Sequence, residues 1–277
     1  MIKAPVNKII PFSSVDGPGN RLALFLQGCS FDCLYCHNPE TINKCINCGC
    51  CVNVCKNNAL SIENYKIKFY EVNCIQCGEC IRACQNNSDP RVRYLSVDDI
   101  LKEIKKVQAF ISGVTVSGGE CTLYIDFLME LGKKIRDLGL TFFIDTNGSV
   151  PLWNKKDLIG VIDSAMLDVK AYDRDEHIML TGTDNDNVLK NLDFLIKSNK
   201  LYEVRTVIVP NVLGNRHTVD EVSKIIGKYD GSKYKLIKFR QMGVREDKLN
   251  SYTPSMKIMN ELRKLAENNG CKDVIIT

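Results

Sequence analysis

The chain has 277 residues, with 37 Lys+Arg against 33 Asp+Glu and a formal net charge of +4. That length suits one large α/β domain, alone or with a small second one, and the charge is too mild for a nucleic-acid binder. A hydrophobic content of 44% excludes wholesale disorder, and no apolar run approaches the ~20 residues of a membrane span.

In chain order, the first twenty residues are broken by Pro5, Pro11 and Pro18 and lack the apolar core of an export signal, so a cytoplasmic location is expected. Residues 21–27 (RLALFLQ) form an apolar run between Gly19 and Gly28, expected as a buried strand. From 40 to about 93 the chain turns cysteine-dense and Asn-rich, with no long amphipathic segment. Alternation resumes at Ser96, an N-cap with Asp99 three residues on, opening a helix to about Phe110. Its Val97, Ile100, Leu101, Ile104 and Val107 make one apolar stripe. Further strands are expected at 113–117, 140–146, 165–170, 203–209, 235–239 and 273–276. Helices are expected at 124–138, 151–160, 187–198, 219–229 and 254–268, the last with Thr253 as N-cap and Pro254 at its first position. This alternation implies parallel strands joined by right-handed crossovers. The count is six β/α units plus a terminal strand, which leaves a doubly wound sheet and a partial barrel both open. Residues 40–93 enter as an insertion after the first strand and divide the main domain into 1–39 and 94–277.

There are 14 cysteines, and twelve of them lie between Cys29 and Cys84. A chain this long without an export signal is no disulfide scaffold, so the spacing points to metal or iron–sulfur ligation. Cys45-x2-Cys48-x2-Cys51-x3-Cys55 is repeated as Cys74-x2-Cys77-x2-Cys80-x3-Cys84. Each is the four-cysteine run of a 4Fe–4S cluster, and the pair resembles a bacterial two-cluster ferredoxin. That resemblance implies crossed sets: Cys45, Cys48, Cys51 and Cys84 for one cluster, Cys55, Cys74, Cys77 and Cys80 for the other. Cys50 is then a non-ligand. Lys56 and Gln85 stand where proline usually follows the fourth cysteine, which alters the turn and not the ligand count. Two zinc knuckles are the competing reading, disfavoured because paired zinc sites use separated two-cysteine hooks.

Cys29-x3-Cys33-x2-Cys36 has only three thiols, directly after the first strand. On a four-iron cubane three thiolates leave one iron open, as a catalytic metal requires. A three-cysteine zinc site completed by His37 is the alternative. The spacing, with aromatic Tyr35 before the last cysteine, resembles the radical S-adenosylmethionine (SAM) superfamily. The resemblance implies that the open iron chelates the amino and carboxylate groups of SAM. It also implies reductive cleavage to methionine and a 5′-deoxyadenosyl radical.

Gly118, Gly119 and Glu120 end the second strand, where glycines permit close backbone approach to a ligand and a carboxylate suits an ammonium group. They resemble the superfamily's GGE motif, which implies contact with the SAM amino group through the backbone and Glu120. Cys121 reads as a small buried filler. Asp145-Thr146-Asn147-Gly148 and Met166-Leu167-Asp168-Val169-Lys170 end the third and fourth strands, where α/β folds place ligands. Asp168 and Lys170, two apart on a strand, face one side. They resemble the DxK element of enzymes that install glycyl radicals, which implies SAM contacts there and from Thr146 and Asn147. In that family the equivalents of Asp145, Thr146, Met166 and Asp168 surround a monovalent cation. Arg205 interrupts an apolar run and needs an anionic partner. By the same resemblance it reaches SAM, as does Tyr35, Val207 lies near the adenine, and Arg240, where relatives often carry His, takes an adenine or ribose contact.

Residues 14–21 (SVDGPGNR) precede the first strand and resemble the hallmark of glycyl-radical-enzyme activating enzymes, with Asp16 near the glycine loop of the substrate protein. The likeness runs from about Ile10 to Gly243, and the insertion is similar to the YjjW-type branch. The implied protein is an α/β partial (β/α)6 barrel of radical SAM type with an inserted α+β ferredoxin-like domain. It is an anaerobic, monomeric oxidoreductase with three clusters, SAM and a monovalent cation. Its substrate is a glycine of a glycyl radical enzyme, its electron donor flavodoxin or ferredoxin, and it engages neither nucleic acid nor membrane. Two rivals remain: a radical SAM enzyme acting on a small molecule, and a three-cluster electron carrier. The first leaves the 14–21 hallmark unexplained, and the second leaves the open iron and the GGE motif unexplained.

Overall fold

A computed structural model describes residues 2–229, 231, 233–245 and 248–277. Strand β1 (Lys3–Ser13) pairs antiparallel with β2 (Arg21–Leu26). The cysteine-rich stretch follows, with α1 (Cys50–Asn53), β3 (Leu60–Glu63), β4 (Lys66–Phe69) and α2 (Glu79–Arg82). The chain then returns as β5 (Arg93–Ser96), antiparallel to β1. Next come α3 (Val97–Val107), β6 (Gly113–Gly118), α4 (Ile125–Asp137), β7 (Thr141–Thr146), α5 (Lys156–Val161) and β8 (Ser164–Asp168). The last third holds α6 (Arg174–Thr181), α7 (Asp186–Lys197), β9 (Leu201–Ile208), α8 (Asn215–Ile226), β10 (Lys233–Lys238), α9 (Met256–Asn268) and β11 (Asp273–Ile276).

The main sheet runs β11-β10-β9-β8-β7-β6-β2-β1-β5. From β2 to β11 the strands are parallel and in chain order. A doubly wound sheet reverses its order at a switch point, which sends helices to both faces. Here the order never reverses among the parallel strands, so right-handed crossovers put every helix on one face and the sheet curls around the other. The result is a partial barrel, and the doubly wound alternative is excluded.

Strand alternation divides the work. Leu22, Leu24 and Leu26 of β2, Val114 and Val116 of β6, Phe142 and Ile144 of β7, and Tyr234 and Leu236 of β10 enter the main core. There they meet buried helix residues such as Ile100, Ile104, Leu128, Leu131 and Val222. The intervening positions line the concave face: Phe25, Ser117, Asp145, Asp168, Arg205, Val207 and Ile237. A closed eight-fold barrel fills its interior with branched aliphatics. This interior instead carries charged side chains among apolar ones and encloses a cavity.

Arg21, fully buried, holds the opposite end of the barrel. It donates to Thr115 Oγ1 at 2.7 Å, Thr141 Oγ1 at 2.9 Å and the Val114 carbonyl at 2.9 Å, with its guanidinium 4.2 Å from the Phe143 ring centroid. The 14–20 turn wraps over it, and Thr115 Oγ1 donates to the Asp16 carbonyl at 2.6 Å. The turn therefore fills the barrel floor and brings Asp16 to the cavity lining.

Several elements differ from expectation, among them β5 (Arg93–Ser96), a strand of the main sheet with no alternation to announce it. β1 is a strand where Pro5 and Pro11 read as breakers; register irregularities at Val6/Lys8 and Ile10/Ser13 accommodate it. α9 begins at Met256, capped by Ser255 accepting from Ile258 N, rather than by Thr253 with Pro254 inside. α6, too short and polar for a periodic signal, is set by Asp173 accepting from Glu176 N and by left-handed Gly182. The capping box expected at Ser96 and Asp99 is present.

Within the cysteine-rich stretch, β3 and β4 form their own antiparallel hairpin. Cys51, Leu60 and Cys80 make a separate small core. The sequence repeat is also a backbone repeat. Asn47 and Gln76 have φ of 59° and 56°, and Gly49 and Gly78 follow at 84° and 78°. Each left-handed pair turns an amide onto the preceding thiol: Asn47 N to Cys45 Sγ at 3.4 Å, Gln76 N to Cys74 Sγ at 3.4 Å.

Candidate active site

The carboxyl ends of the parallel strands surround a cavity of about 270 Å³. Cys29, Cys33 and Cys36 line it together with Gly118, Gly119, Asp145, Thr146, Asn147, Asp168, Lys170, Arg205, Val207, Tyr35 and Asp16. Most of these residues, far apart in the chain, meet here because they lie near the carboxyl ends of neighbouring strands, whereas Asp16 comes from the turn before β2.

The loop bearing the three thiols is fixed through its backbone. Cys29 N donates to the Ile42 carbonyl at 2.8 Å, while Asp32 N and Leu34 N donate to the Thr181 and Leu180 carbonyls at 2.9 Å each. Those carbonyls are the end of α6, so the unexpected helix has a task. Arg245 adds a second hold, donating to the Cys33 carbonyl at 2.9 Å and pairing with Asp32 at 2.7 Å. Gly118 and Gly119 serve the same loop. A Cβ on Gly119 would lie 2.2 Å from the Gly28 carbonyl oxygen, and one on Gly118 would lie 2.2 Å from Leu26 N. Their smallness thus lets β6 approach the backbone of the cysteine strand, while both glycines still border the cavity.

Burial pushes the Cys29 thiol up to about 12 and the Cys33 thiol up to about 11, and it raises Cys36 as well. Such thiols keep their protons until a metal displaces them. Lys170 opposes that trend at all three. Its Nζ donates to Asp168 Oδ2 at 2.8 Å and stands 5.6 Å from the Tyr35 ring centroid. Burial works against the Lys170 ammonium, yet the facing Asp168 carries its pKa well above the usual lysine value. The Tyr35 hydroxyl is buried with no hydrogen-bond partner among the described residues.

Arg205 reaches into the cavity between acids. Nη1 lies 3.0 Å from Asp145 Oδ2 and Nε lies 2.6 Å from Glu203 Oε1, which Lys235 shares at 2.9 Å. Burial opposes this charge, but Asp145 and Glu203 raise the Arg205 pKa above the ordinary arginine value. Nη2 also stands 2.8 Å from Met166 Sδ. The guanidinium thus occupies two of the contacts expected for a monovalent cation. Of that quartet, Asp145, Met166 and Asp168 are on the concave face, but the Thr146 hydroxyl donates to Glu120 Oε1 at 2.8 Å.

Glu120 and Arg240 differ from the sequence expectation. Glu120 is fully buried and absent from the lining, its carboxylate engaged by Thr122, Thr146 and Asn147. Of the GGE segment, the backbone alone fronts the cavity. Arg240 is exposed, and only its carbonyl takes part, 3.0 Å from His37 Nε2. Phe25, Phe31, Ser117, Ile237 and Arg245 were not singled out from the sequence. Phe25, Ser117 and Ile237 follow from alternation on the strands, whereas Arg245 has no local signal.

The remaining cysteines fall into two groups. Cys45, Cys48, Cys51 and Cys84 line one cavity, with Cys50 beside them. Cys55, Cys74, Cys77 and Cys80 line another, with Arg91. Among the described residues no three His, Cys, Asp or Glu converge on a point fit for a single metal ion. Nor is any helix long and apolar enough to cross a membrane.

Residues 24–227 match the family model of the radical SAM superfamily. The chain is 29% identical over 307 residues to the indoleacetate decarboxylase activating enzyme of Tractidigestivibacter scatoligenes, covering 99% of this chain and 98% of that protein. It is 34% identical over 227 residues to the trans-4-hydroxy-L-proline dehydratase activating enzyme of Clostridioides difficile, covering 76% and 75%. Among solved structures, QueE from Escherichia coli aligns over 99% of this chain and 94% of that one, at 12% identity and a TM-score of 0.55. That likeness concerns the fold alone.

Proposed function

Because the chain belongs to the radical SAM superfamily, and within it to the glycyl-radical-enzyme activating enzymes, we propose the following division of labour. Cys29, Cys33 and Cys36 hold the catalytic 4Fe–4S cluster and leave one iron for SAM. When bound, this cluster supplies the electron that cleaves SAM to methionine and a 5′-deoxyadenosyl radical, which takes hydrogen from a glycine of the partner enzyme. One observation carries the assignment: three thiols, an Asp–Lys pair and Arg205 share one cavity at the carboxyl ends of the barrel strands. The donor set fits the group. Three thiols border one cavity, and thiolates are the ligands a four-iron cluster takes.

The side chains bind and orient. Asp168 and Lys170 face the cavity as a charged pair, suited to exchange their mutual contact for the ammonium and carboxylate of SAM. Arg205 offers further positive charge there, and the Gly118–Gly119 backbone offers polar groups beside it. Phe25, Phe31, Val207 and Ile237 supply apolar walls that exclude water. Asp16, brought to the same cavity from the barrel floor, faces the space left for the partner's glycine loop.

Residues 40–93 form a ferredoxin-like inserted domain with two further clusters. The crossed cysteine groups of its two cavities support that reading. These clusters, closed by four thiolates each, relay electrons from a flavodoxin or ferredoxin in the cytoplasm. The enzyme acts as a monomer. Anaerobic reconstitution tests the proposal: about 12 iron and 12 sulfides per chain are expected, and Cys29→Ala/Cys33→Ala/Cys36→Ala should lose about a third of that iron and all SAM cleavage. Zinc occupancy with negligible sulfide would sink it.

A further inference from the structure

The buried Glu120 carboxylate is held by donors from its own fold. Oε1 accepts from Thr122 N at 2.9 Å, Thr122 Oγ1 at 2.6 Å and Thr146 Oγ1 at 2.8 Å, and Oε2 accepts from Asn147 N at 2.7 Å. The last bond fixes the backbone of a residue whose side chain points at a catalytic thiol. Asn147, 6% exposed, uses Oδ1 to accept from Ser149 N at 2.9 Å. That contact determines which end of the amide is nitrogen. Nδ2 therefore lies 3.6 Å from Cys29 Sγ and 3.4 Å from Ser30 Oγ. Cys29 Sγ already accepts from Phe31 N at 3.4 Å, so the thiol sits between two N–H donors.

Hydrogen bonds to cluster sulfur favour the more negative, reduced state and so raise the reduction potential. We propose that Glu120 and Asn147 are a positioning pair: Glu120 holds the Asn147 backbone, and the Asn147 amide donates to Cys29 and raises the potential of the cluster held there. This rests on the proposed assignment of Cys29, Cys33 and Cys36 to the catalytic cluster. A role limited to shaping the turn predicts something else, lost iron with an unchanged midpoint in whatever cluster remains.

The test is an anaerobic redox titration of the full-length, reconstituted protein. It is read on the electron paramagnetic resonance signal that SAM perturbs, which isolates the open-iron cluster from the other two. Asn147→Ala should keep wild-type iron and sulfide while its reduced-to-oxidised ratio at a fixed potential falls about tenfold, or ~59 mV for one electron. Glu120→Gln should move the midpoint the same way, and the double variant should go no lower than Asn147→Ala alone. If Asn147→Ala loses iron, Asn147→Asp keeps the Ser149 contact and turns an oxygen toward the sulfur, so its midpoint should fall further still. An unchanged midpoint in the iron-loaded variant overturns the proposal, and additive shifts overturn the pairing of the two residues. A wild-type protein with no SAM-perturbed signal would instead overturn the cluster assignment.

Discussion

The Asp145 carboxylate and the Arg205 guanidinium meet at 3.0 Å inside the barrel, both largely buried. Their strands, β7 and β9, are separated by β8, so the pair spans the concave face and ties three strand ends together. Glu203 anchors the far side of the same guanidinium at 2.6 Å.

Removing Arg205 leaves Asp145 with only the Ser117 hydroxyl as a donor among the described residues. Breaking a buried pair from one side costs about 3–5 kcal/mol. Arg205→Met should therefore lower the urea midpoint clearly in protein matched for iron content. A midpoint equal to wild type would mean that the pair is already solvated.

Asp168 and Lys170 face the cavity and touch no thiol directly, so their loss should separate ligand binding from metal content. Asp168→Ala and Lys170→Ala are each expected to weaken SAM binding by about tenfold or more, the scale of one charged hydrogen bond. Iron should remain near wild type. Unchanged affinity in both variants, measured anaerobically by equilibrium dialysis, would place SAM elsewhere.

The crossed cysteine groups give an arithmetic test. If Cys45 and Cys84 serve one cluster, Cys45→Ala, Cys84→Ala and the double variant should each lose about 4 of 12 irons. If each run holds its own cluster, the double variant should lose about 8. Iron and sulfide assays on the three proteins decide between the two.

The cysteine spacings, the strands and the charged strand ends were legible because they repeat or alternate. β1 was not, since Pro5 and Pro11 mask a strand that bulges absorb. The direction of a side chain just past a strand was not legible either, because alternation stops there. Glu120 turns inward to Thr146 and Asn147, and Arg240, beyond the end of β10, turns out to solvent. The Thr146 hydroxyl points away from the Asp145 carboxylate, as adjacent side chains of a strand do, and donates to Glu120. The grip of α6 and Arg245 on the thiol loop is purely tertiary. No local pattern encodes it.

The capping box of α3 makes a pH prediction. Hydrogen bonds from Ser96 hold the Asp99 carboxyl down at about 2, below its ordinary value. A depressed carboxyl contributes stability above the ordinary aspartate pKa and loses it as pH falls through the folded value. Ser96→Ala should therefore lower Tm at pH 7, and the difference from wild type should shrink between about pH 4 and pH 2. A difference that stays constant across that window would show that the ionised Asp99 is not part of the cap.

The most direct measurement is 5′-deoxyadenosine production by the reduced, anaerobically reconstituted protein with SAM, compared with Cys33→Ala matched for total protein. Wild type should release 5′-deoxyadenosine and methionine in equal amounts. Cys33→Ala should release none while retaining the iron of the Cys45–Cys84 stretch. Cleavage at the wild-type rate in Cys33→Ala would contradict the assignment of the catalytic centre to Cys29, Cys33 and Cys36.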